Sequence, residues 1–324
     1  MPRAQVAEIQ RSRLLAGAVG AIEEHGYAQT TVAQITARAR VSRRTFYELF
    51  ADCEACLVAL LEDVVELLER AIADASLGDL AWHERVRGGL AAILAFFDRE
   101  PALAQVCVVQ ALRGGSAVLE RREQLLARLA AILDEGRGLG SGRGSGSRPG
   151  GCSPLTAEGL VGATFGIIHG RLLRGERAPL SGLLGELMGM IVLPYLGAAA
   201  ARREQARPAV AATPAAERGP TAHALANGDP LQGLPMRLTY RTARVLECVA
   251  RQPGVSNRAV AGLAGIADQG QVSKLLARLE RLELVENTGA GHQLGAPNAW
   301  RLTLLGRRVA LSLSVSDNHY AAGS

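Results

Sequence analysis

Through nearly all of the first 200 residues, apolar side chains recur at intervals of three and four, and the alternation typical of β-strands is absent. This spacing predicts amphipathic helices, so we expect this part of the chain to be all-α. The chain has 324 residues, of which 48% are hydrophobic, which is enough for two or three domains with buried cores.

Two segments interrupt the helical pattern: a Gly/Ser/Arg-rich run within 136–154 and an Ala/Pro/Arg-rich run at 201–235. Both are typical of flexible linkers. After residue 235 the pattern changes to three helices followed by two short strands. We therefore predict an N-terminal domain at 1–51, a helical domain at 52–200 with a flexible loop at 136–154, a linker at 201–235, a small α+β domain at 236–312 and a tail at 313–324.

The charge is distributed unevenly along the chain. Residues 1–51 contain seven arginines and four glutamates (+3), residues 52–135 contain eight arginines and fifteen acids (−7), and residues 229–308 contain eleven bases and six acids (+5). Two basic ends around an acidic middle are expected if both ends face phosphate. The alternative interpretation is that these are ordinary solvated helix faces.

The sequence carries none of the motifs that mark common enzymes. It has no H-E-x-x-H, nucleophile elbow or Walker loop, and its six histidines are dispersed. The Gly-rich run at 136–151 follows a helical segment and lacks the G-K-[ST] of a phosphate loop. We predict that the chain is not an enzyme and needs no cofactor.

Cysteine usage and hydropathy bear on metal sites and location. Cys53 and Cys56 form a C-x-x-C without the second ligand pair that a zinc site needs, so we predict no metal. The N-terminus lacks the apolar region of a secretory signal, and Glu186 and Pro194 interrupt the most apolar later stretch, which argues against a membrane span. We expect a cytoplasmic protein.

The first 50 residues predict three helices, the last two joined by a tight turn. Helix 1 buries apolar residues at i, i+3, i+4 and i+7 and ends at Gly26, while Thr30 and Thr31 can cap a second helix that ends near Ala39. Ser42 can cap a third helix. The residues expected to point outward on it are Arg43, Arg44, Thr45 and Tyr47, and those expected inward are Phe46 and Phe50. This is a helix-turn-helix, whose second helix fits the major groove of DNA.

At these positions the chain resembles the tetracycline-repressor (TetR) family of transcription regulators. The matching residues are Gly26-Tyr27, Thr30-Thr31-Val32, Ile35, Ala37, Ala39, Val41-Ser42, Thr45-Phe46-Tyr47, Phe50, Asp52 and Glu54. The resemblance implies that Ser42, Thr45 and Tyr47 contact phosphates, and Arg43 and Arg44 are the candidates for base contacts. The full set of predicted DNA contacts is Thr31, Arg40, Ser42, Arg43, Arg44, Thr45 and Tyr47.

Three positions depart from the family pattern. Arg40 stands where glycine is usual, so it must adopt a left-handed conformation, at about 1 kcal/mol, or reshape the turn. Leu49 replaces a frequent histidine, and Cys53 replaces a lysine that touches phosphate. We expect a weaker or differently placed hold on the DNA backbone.

The resemblance implies a ligand-binding bundle at 52–135 and an unidentified small-molecule effector. The residues that could line its pocket are Trp82, Phe96, Phe97, Cys107 and Gln110, although apolar residues in a bundle are more often plain core. Helices at 155–173 and 180–196 carry Gly162, Gly166 and Gly170 and correspond to the family's dimer interface. A homodimer would place its recognition helices one DNA turn apart, on a near-palindromic operator.

Residues 236–312 resemble a winged helix of the multiple-antibiotic-resistance regulator (MarR) type. Helices are predicted at 240–252, at 257–264 and after Asp268, followed by strands at 284–287 and 299–303 around a wing at 288–298. If this domain binds DNA, the candidate groove residues are Gln269, Gln271, Ser273 and Lys274, and the candidate wing residues are His292, Asn298 and Arg301. Because Glu280, Glu283 and Glu286 make one side acidic, the alternative is a module that packs against a protein or the dimer.

Together these features predict a mainly all-α regulator with a C-terminal α+β winged helix. The expected partners are double-stranded DNA and a second copy of the chain. Ligand-responsive repression is what the family resemblance implies.

Overall fold

The computed structural model describes residues 3–74, 80–141, 153, 155–207, 239–289 and 298–315. Most of these residues are helical, which confirms the predicted mainly helical fold. Most of the predicted loop, linker, wing and tail lies outside the described residues, and so does His292.

Nine α-helices are described between residues 3 and 206. They are α1 (Arg3–His25), α2 (Val32–Ala39), α3 (Arg43–Leu49), α4 (Cys53–Asp74), α5 (Trp82–Arg99), α6 (Pro101–Ala104), α7 (Ser116–Asp134), α8 (Leu155–Leu173) and α9 (Leu184–Ala206). A π-helical turn (Gln105–Val109) and a 3-10 turn (Gln110–Arg113) connect α6 to α7.

The described part of the C-terminal region, which we call the C-terminal domain (residues 239–289 and 298–315), follows the order predicted from the sequence. Its elements are α10 (Tyr240–Arg251), α11 (Asn257–Ala264), α12 (Gln269–Arg281), β1 (Val285–Asn287), β2 (Trp300–Leu302) and α13 (Leu304–Val315). The two strands pair antiparallel, with Glu286 opposite Arg301. Helix α13 was not predicted.

The structure comprises two compact units. The first contains the described residues of Met1–Leu14, Thr36–Leu49 and Ala226–Ser324, and the second those of Leu15–Ile35 and Phe50–Leu225. In the second unit α4 packs on α5 and α7, and α8 packs on α7 and α9.

The first residues of the two segments expected to be flexible are helical. Residues Glu135–Ser141 form a 3-10 helix, in which Gly136 lies so close to the Trp82 ring that an added Cβ would meet it at 2.5 Å. Helix α9 continues to Ala206, and the buried Glu204 near its end pairs with Arg87 at 2.7 Å. Long-range packing therefore orders residues whose local composition predicts linkers.

Helix α9 is kinked at Gly197, whose φ of 80° lies outside the helical region. The segment Leu180–Ala206 is long and apolar enough to cross a membrane by length and composition alone, with a mean hydropathy of 1.6. Within its most apolar window, 44% is buried inside the protein.

Candidate nucleic-acid interface

The turn between α2 and α3 is closed by backbone hydrogen bonds. The Arg40 amide donates to the Ala37 carbonyl (3.4 Å) and the Val41 amide to the Thr36 carbonyl (3.2 Å). Arg40 has a φ of 53°, so of the two alternatives offered by the sequence, a left-handed Arg40 or a reshaped turn, the structure has the first. Its exposed position is compatible with the predicted DNA contact.

Thr31 caps helix α2, as predicted, and Gln34 makes the cap reciprocal, which the sequence analysis missed. The Thr31 hydroxyl accepts from the Gln34 amide (3.3 Å), and the Gln34 side-chain oxygen accepts from both the Thr31 amide (2.7 Å) and the Thr31 hydroxyl (2.8 Å). The T-x-x-Q spacing is the signal that predicts such a capping box. Thr31 is exposed, but its hydroxyl proton is already used within the helix end.

Helix α3 presents polar side chains to solvent and anchors itself with one aromatic ring. The Ser42 hydroxyl accepts from the Thr45 amide at 3.0 Å, which caps the helix as predicted, and it also hydrogen-bonds the Thr45 hydroxyl at 2.9 Å. Phe46 is fully buried, and the adjacent Tyr47 ring packs edge-on against it while remaining 59% exposed. The helix therefore holds a polar row outward.

The two arginines of α3 differ in their surroundings. Arg44 donates to the carboxylate of Glu48, one turn later, at 2.9 Å. Arg43 is exposed, and no carboxylate of the described residues pairs with it. Arg43 is therefore the arginine that can reach a base without first breaking an ion pair.

One contact joins the region after α1 to the α6–α7 connection, and a second joins α4 to the start of α7. The Tyr27 amide donates to the Gln110 side-chain oxygen (3.2 Å), and Glu54 of α4 accepts from the Ala117 amide (3.0 Å). Burial and then the Glu54 carboxylate raise the pKa of the Tyr27 phenol. The Glu54 carboxylate also lies against Gly115, where an added Cβ would meet it at 2.3 Å and displace it. Gln110, predicted to line a ligand pocket, serves as a clamp.

Trp82, Phe96 and Phe97, which were also predicted to line a pocket, are buried side chains. Trp82 is buried, donates from its indole nitrogen to the Ile132 carbonyl (3.1 Å), and packs on Tyr195. Phe96 and Phe97 are buried core residues. A cleft of about 750 Å³ lies between α7 and α8, and none of these three residues lines it. Its lining includes alanines 127, 130, 131 and 157, with charged residues Arg122, Glu123, Asp134, Arg137 and Glu158.

The N-terminal end of α12 forms a second exposed polar surface. Asp268 caps this helix by accepting from the amides of Gly270 (2.8 Å) and Gln271 (3.2 Å). Gly265, with a φ of 67°, makes the preceding turn as predicted. The exposed candidates on this surface are Gln269, Gln271, Ser273 and Lys274. Arg241 donates to Gln271 at 2.9 Å and adds positive charge beside it.

Asn257, at the start of α11, connects α12 to the strands. Its amide nitrogen donates to the Ser273 hydroxyl (2.9 Å), and its oxygen accepts from Asn298 (3.2 Å) and from the Trp300 indole. Asn298 in turn accepts from Asn287 at 2.8 Å, so both ends of its amide are engaged within the protein. Arg301 is exposed on β2. The sequence analysis missed Asn257, because its partners lie up to 43 residues away.

The outer face of α8 is open along its glycines. A Cβ added at Gly159, Gly162 or Gly166 would meet no atom within 4 Å, whereas one at Gly170 would lie 3.2 Å from the Arg174 side chain. Exposed apolar side chains accompany this face and α9, namely Leu155, Ile167, Leu173 and Leu193.

Residues 14–60 match the family model of bacterial regulatory proteins, tetR family. The matched segment contains all of α2 and α3. No curated protein matches the chain.

Solved structures with a similar helical layout include two regulators. FadR from Bacillus subtilis, in complex with stearoyl-CoA, is 20% identical, with 57% of this chain and 97% of that chain covered and a TM-score of 0.48. SmeT, the repressor of the Stenotrophomonas maltophilia multidrug efflux pump SmeDEF, is 20% identical, with 65% and 97% covered and a TM-score of 0.44. Likeness at this level transfers no ligand to this chain.

Proposed function

We propose that this chain is a DNA-binding transcriptional regulator of the tetR family, which reads its operator through α3. The observation that carries the proposal is the exposed row of Arg43, Arg44 and Tyr47 on a helix anchored by the buried Phe46. A capped helix of this kind fits the major groove with its N-terminal side chains against base edges.

Within this surface we assign different roles to different side chains. Arg43 is the main base reader, because arginine can donate two hydrogen bonds to guanine and nothing among the described residues competes for it. Arg44 must first leave Glu48, and an exposed ion pair of this kind is worth about 1 kcal/mol or less. Ser42, Thr45 and Tyr47 are proposed phosphate contacts, with Thr31 and Arg40 at the flanks.

We further propose a homodimer that pairs through α8 and α9. The open glycines on α8 allow a partner helix to approach closely, and the exposed apolar side chains of this pair would be removed from water. Two recognition helices related by a twofold axis predict a near-palindromic operator. A cytoplasmic repressor that responds to a small effector is the family role we expect.

The second candidate function belongs to the C-terminal domain, which we propose is a winged helix that also contacts DNA. Its support is the exposed polar end of α12 beside Arg241, with Lys274 on the same helix. The alternative is a protein-interaction or dimer-packing module. That alternative is favoured by the exposed Glu280, Glu283 and Glu286, of which Glu286 faces Arg301 in the strand pair.

The test is fluorescence anisotropy with genomic DNA fragments enriched on the immobilised full chain, measured across a salt series. Arg43→Ala/Arg44→Ala should weaken binding by roughly 30-fold or more, because each of the two base contacts contributes about 1–3 kcal/mol. The matched control is Arg70→Ala/Arg128→Ala, which removes the same charge from two exposed positions on α4 and α7.

The control should change the affinity by no more than about twofold. A variant that loses one phosphate contact should show a slope of log affinity against log salt concentration that is smaller in magnitude by about 0.9. Equal losses for the two double variants would contradict reading through α3. Failure to enrich any DNA would contradict the regulator proposal itself.

A further inference from the structure

The first turns of α1 belong to the core of the C-terminal domain. Val6 is 2% exposed and Ile9 is 7% exposed, and both lie in one hydrophobic cluster with Leu246, Val249 and Trp300. The guanidinium of Arg3 lies over the ring of Tyr240, the first residue of α10, at 5.4 Å from the ring centroid. An apolar contact and a cation–π contact thus fix the same end of α1 to this domain.

These residues precede the segment that matches the regulator family. The match begins at residue 14, whereas Arg3, Val6 and Ile9 lie before it. Helix α1 nevertheless runs without interruption from Arg3 to His25. The early turns of α1 therefore extend the DNA-binding segment with a docking site for the C-terminal domain.

The same compact unit contains both candidate recognition helices. Helix α3 lies within Thr36–Leu49 and helix α12 within Ala226–Ser324, and these two segments share one unit with Met1–Leu14. Between them in sequence lies all of the helical domain from α4 to α9. The chain thus gathers two distant DNA-reading candidates around the start of α1.

We propose that this docking makes α3 and α12 one DNA-reading device, so that each subunit reads two DNA sites at a fixed spacing. The inference rests on the proposed function of both helices. Two sites held at a fixed separation bind with a high effective concentration, whereas a flexible tether would tolerate many separations. The operator of such a protein has, in each half, a block read by α3 and a block read by α12 at a fixed spacing and helical phase, and we call these the inner and the outer block.

The experiment begins with duplexes enriched from a random library by the full chain and mapped by hydroxyl-radical footprinting. The footprint should contain inner blocks that depend on Arg43 and outer blocks that depend on Lys274. Inserting about 5 bp, half a DNA turn, between an inner and an outer block should lower the affinity of the wild type on the order of 10²-fold.

Val6→Asp places a charge in the docking core, and its matched control, Ala4→Asp, places the same charge at an exposed position two residues away. The affinity of Val6→Asp for the original duplex should be as low as that of the wild type for the duplex with the half-turn insertion. The insertion should leave the affinity of Val6→Asp unchanged. Ala4→Asp should behave as the wild type. Should Val6→Asp not fold by circular dichroism, Ile9→Ala, which only shortens a side chain, should show the same direction of change.

Three outcomes would overturn the inference. The first is a wild-type footprint with inner blocks only, and the second is a wild type whose affinity is unchanged by the half-turn insertion. The third is a Val6→Asp variant (or Ile9→Ala, where Val6→Asp does not fold) that is as sensitive to the insertion as Ala4→Asp. In each of these cases the inner blocks, and hence the proposed function of α3, would survive. A full chain that enriches no duplex would instead remove the proposed function.

Discussion

Replacing Asn257 by alanine should loosen the C-terminal domain at the junction between α12 and the strand pair. The Asn257 oxygen accepts from the Trp300 indole and from Asn298 (3.2 Å), and its nitrogen donates to Ser273 (2.9 Å). Trp300 is only 4% exposed, so water cannot readily replace the lost acceptor. The other two partners lie nearer solvent.

The magnitude follows from these three bonds. Leaving the buried indole N–H without an acceptor costs about 1–3 kcal/mol, and each of the other two bonds contributes about 0.5 kcal/mol, since water or Asn287 can compensate. We therefore expect Asn257→Ala to lower the free energy of unfolding by about 2–4 kcal/mol. Asn257→Asp keeps the acceptor oxygen and loses only the donor to Ser273, so its effect should be about 1 kcal/mol or less.

The assay is urea unfolding followed by Trp300 fluorescence, with Trp82→Phe as the common background. Arg258→Ala, at the next and exposed position, is the matched control and should change stability by less than about 0.5 kcal/mol. If Asn257→Ala were no more destabilising than Arg258→Ala, the proposed role of Asn257 as the link would be wrong. Asn257→Ala should also weaken DNA contacts that depend on Lys274 while sparing those of Arg43.

Three further predictions concern single positions. Glu283 has a φ of 56°, a left-handed conformation that is strained for a residue with a Cβ, so Glu283→Gly should raise the free energy of unfolding by about 0.5–1 kcal/mol in chemical denaturation. The control Glu280→Gly, within α12, should lower it by about 1 kcal/mol. A change of the same sign for both variants would contradict the strain at Glu283. Cys53→Lys should tighten binding to all DNA sequences in anisotropy titrations, and an unchanged affinity would remove the proposed phosphate site. Although part of residue Cys107 is exposed, burial raises the pKa of its thiol to about 12, so it should resist alkylation at pH 8 in the native chain and react after unfolding. Because the unfolded thiol ionises first, this group's stabilising contribution should be lost as the pH rises from about 9 to about 12.

Features that depend on residues close together in the chain were predictable from the sequence. Ser42, Ser256 and Asp268 each bond an amide two or three residues later, so their capping roles follow from residue type and position. The left-handed Arg40 is equally local, because the tight turn between two helices leaves it little conformational choice. The sequence by itself therefore determined most of the helices, although not α13, together with the helix-turn-helix and the exposed arginines of α3.

Only the tertiary structure decided which distant residues meet. The clamp from Tyr27 to Gln110 joins residues 83 positions apart, and Val6 and Ile9 find their apolar partners more than 200 residues later. An apolar side chain near the N-terminus predicts burial but not its partners, because the hydrophobic effect is non-directional. The surface that buries it is fixed by the packing of the whole chain, and here that surface belongs to the C-terminal domain.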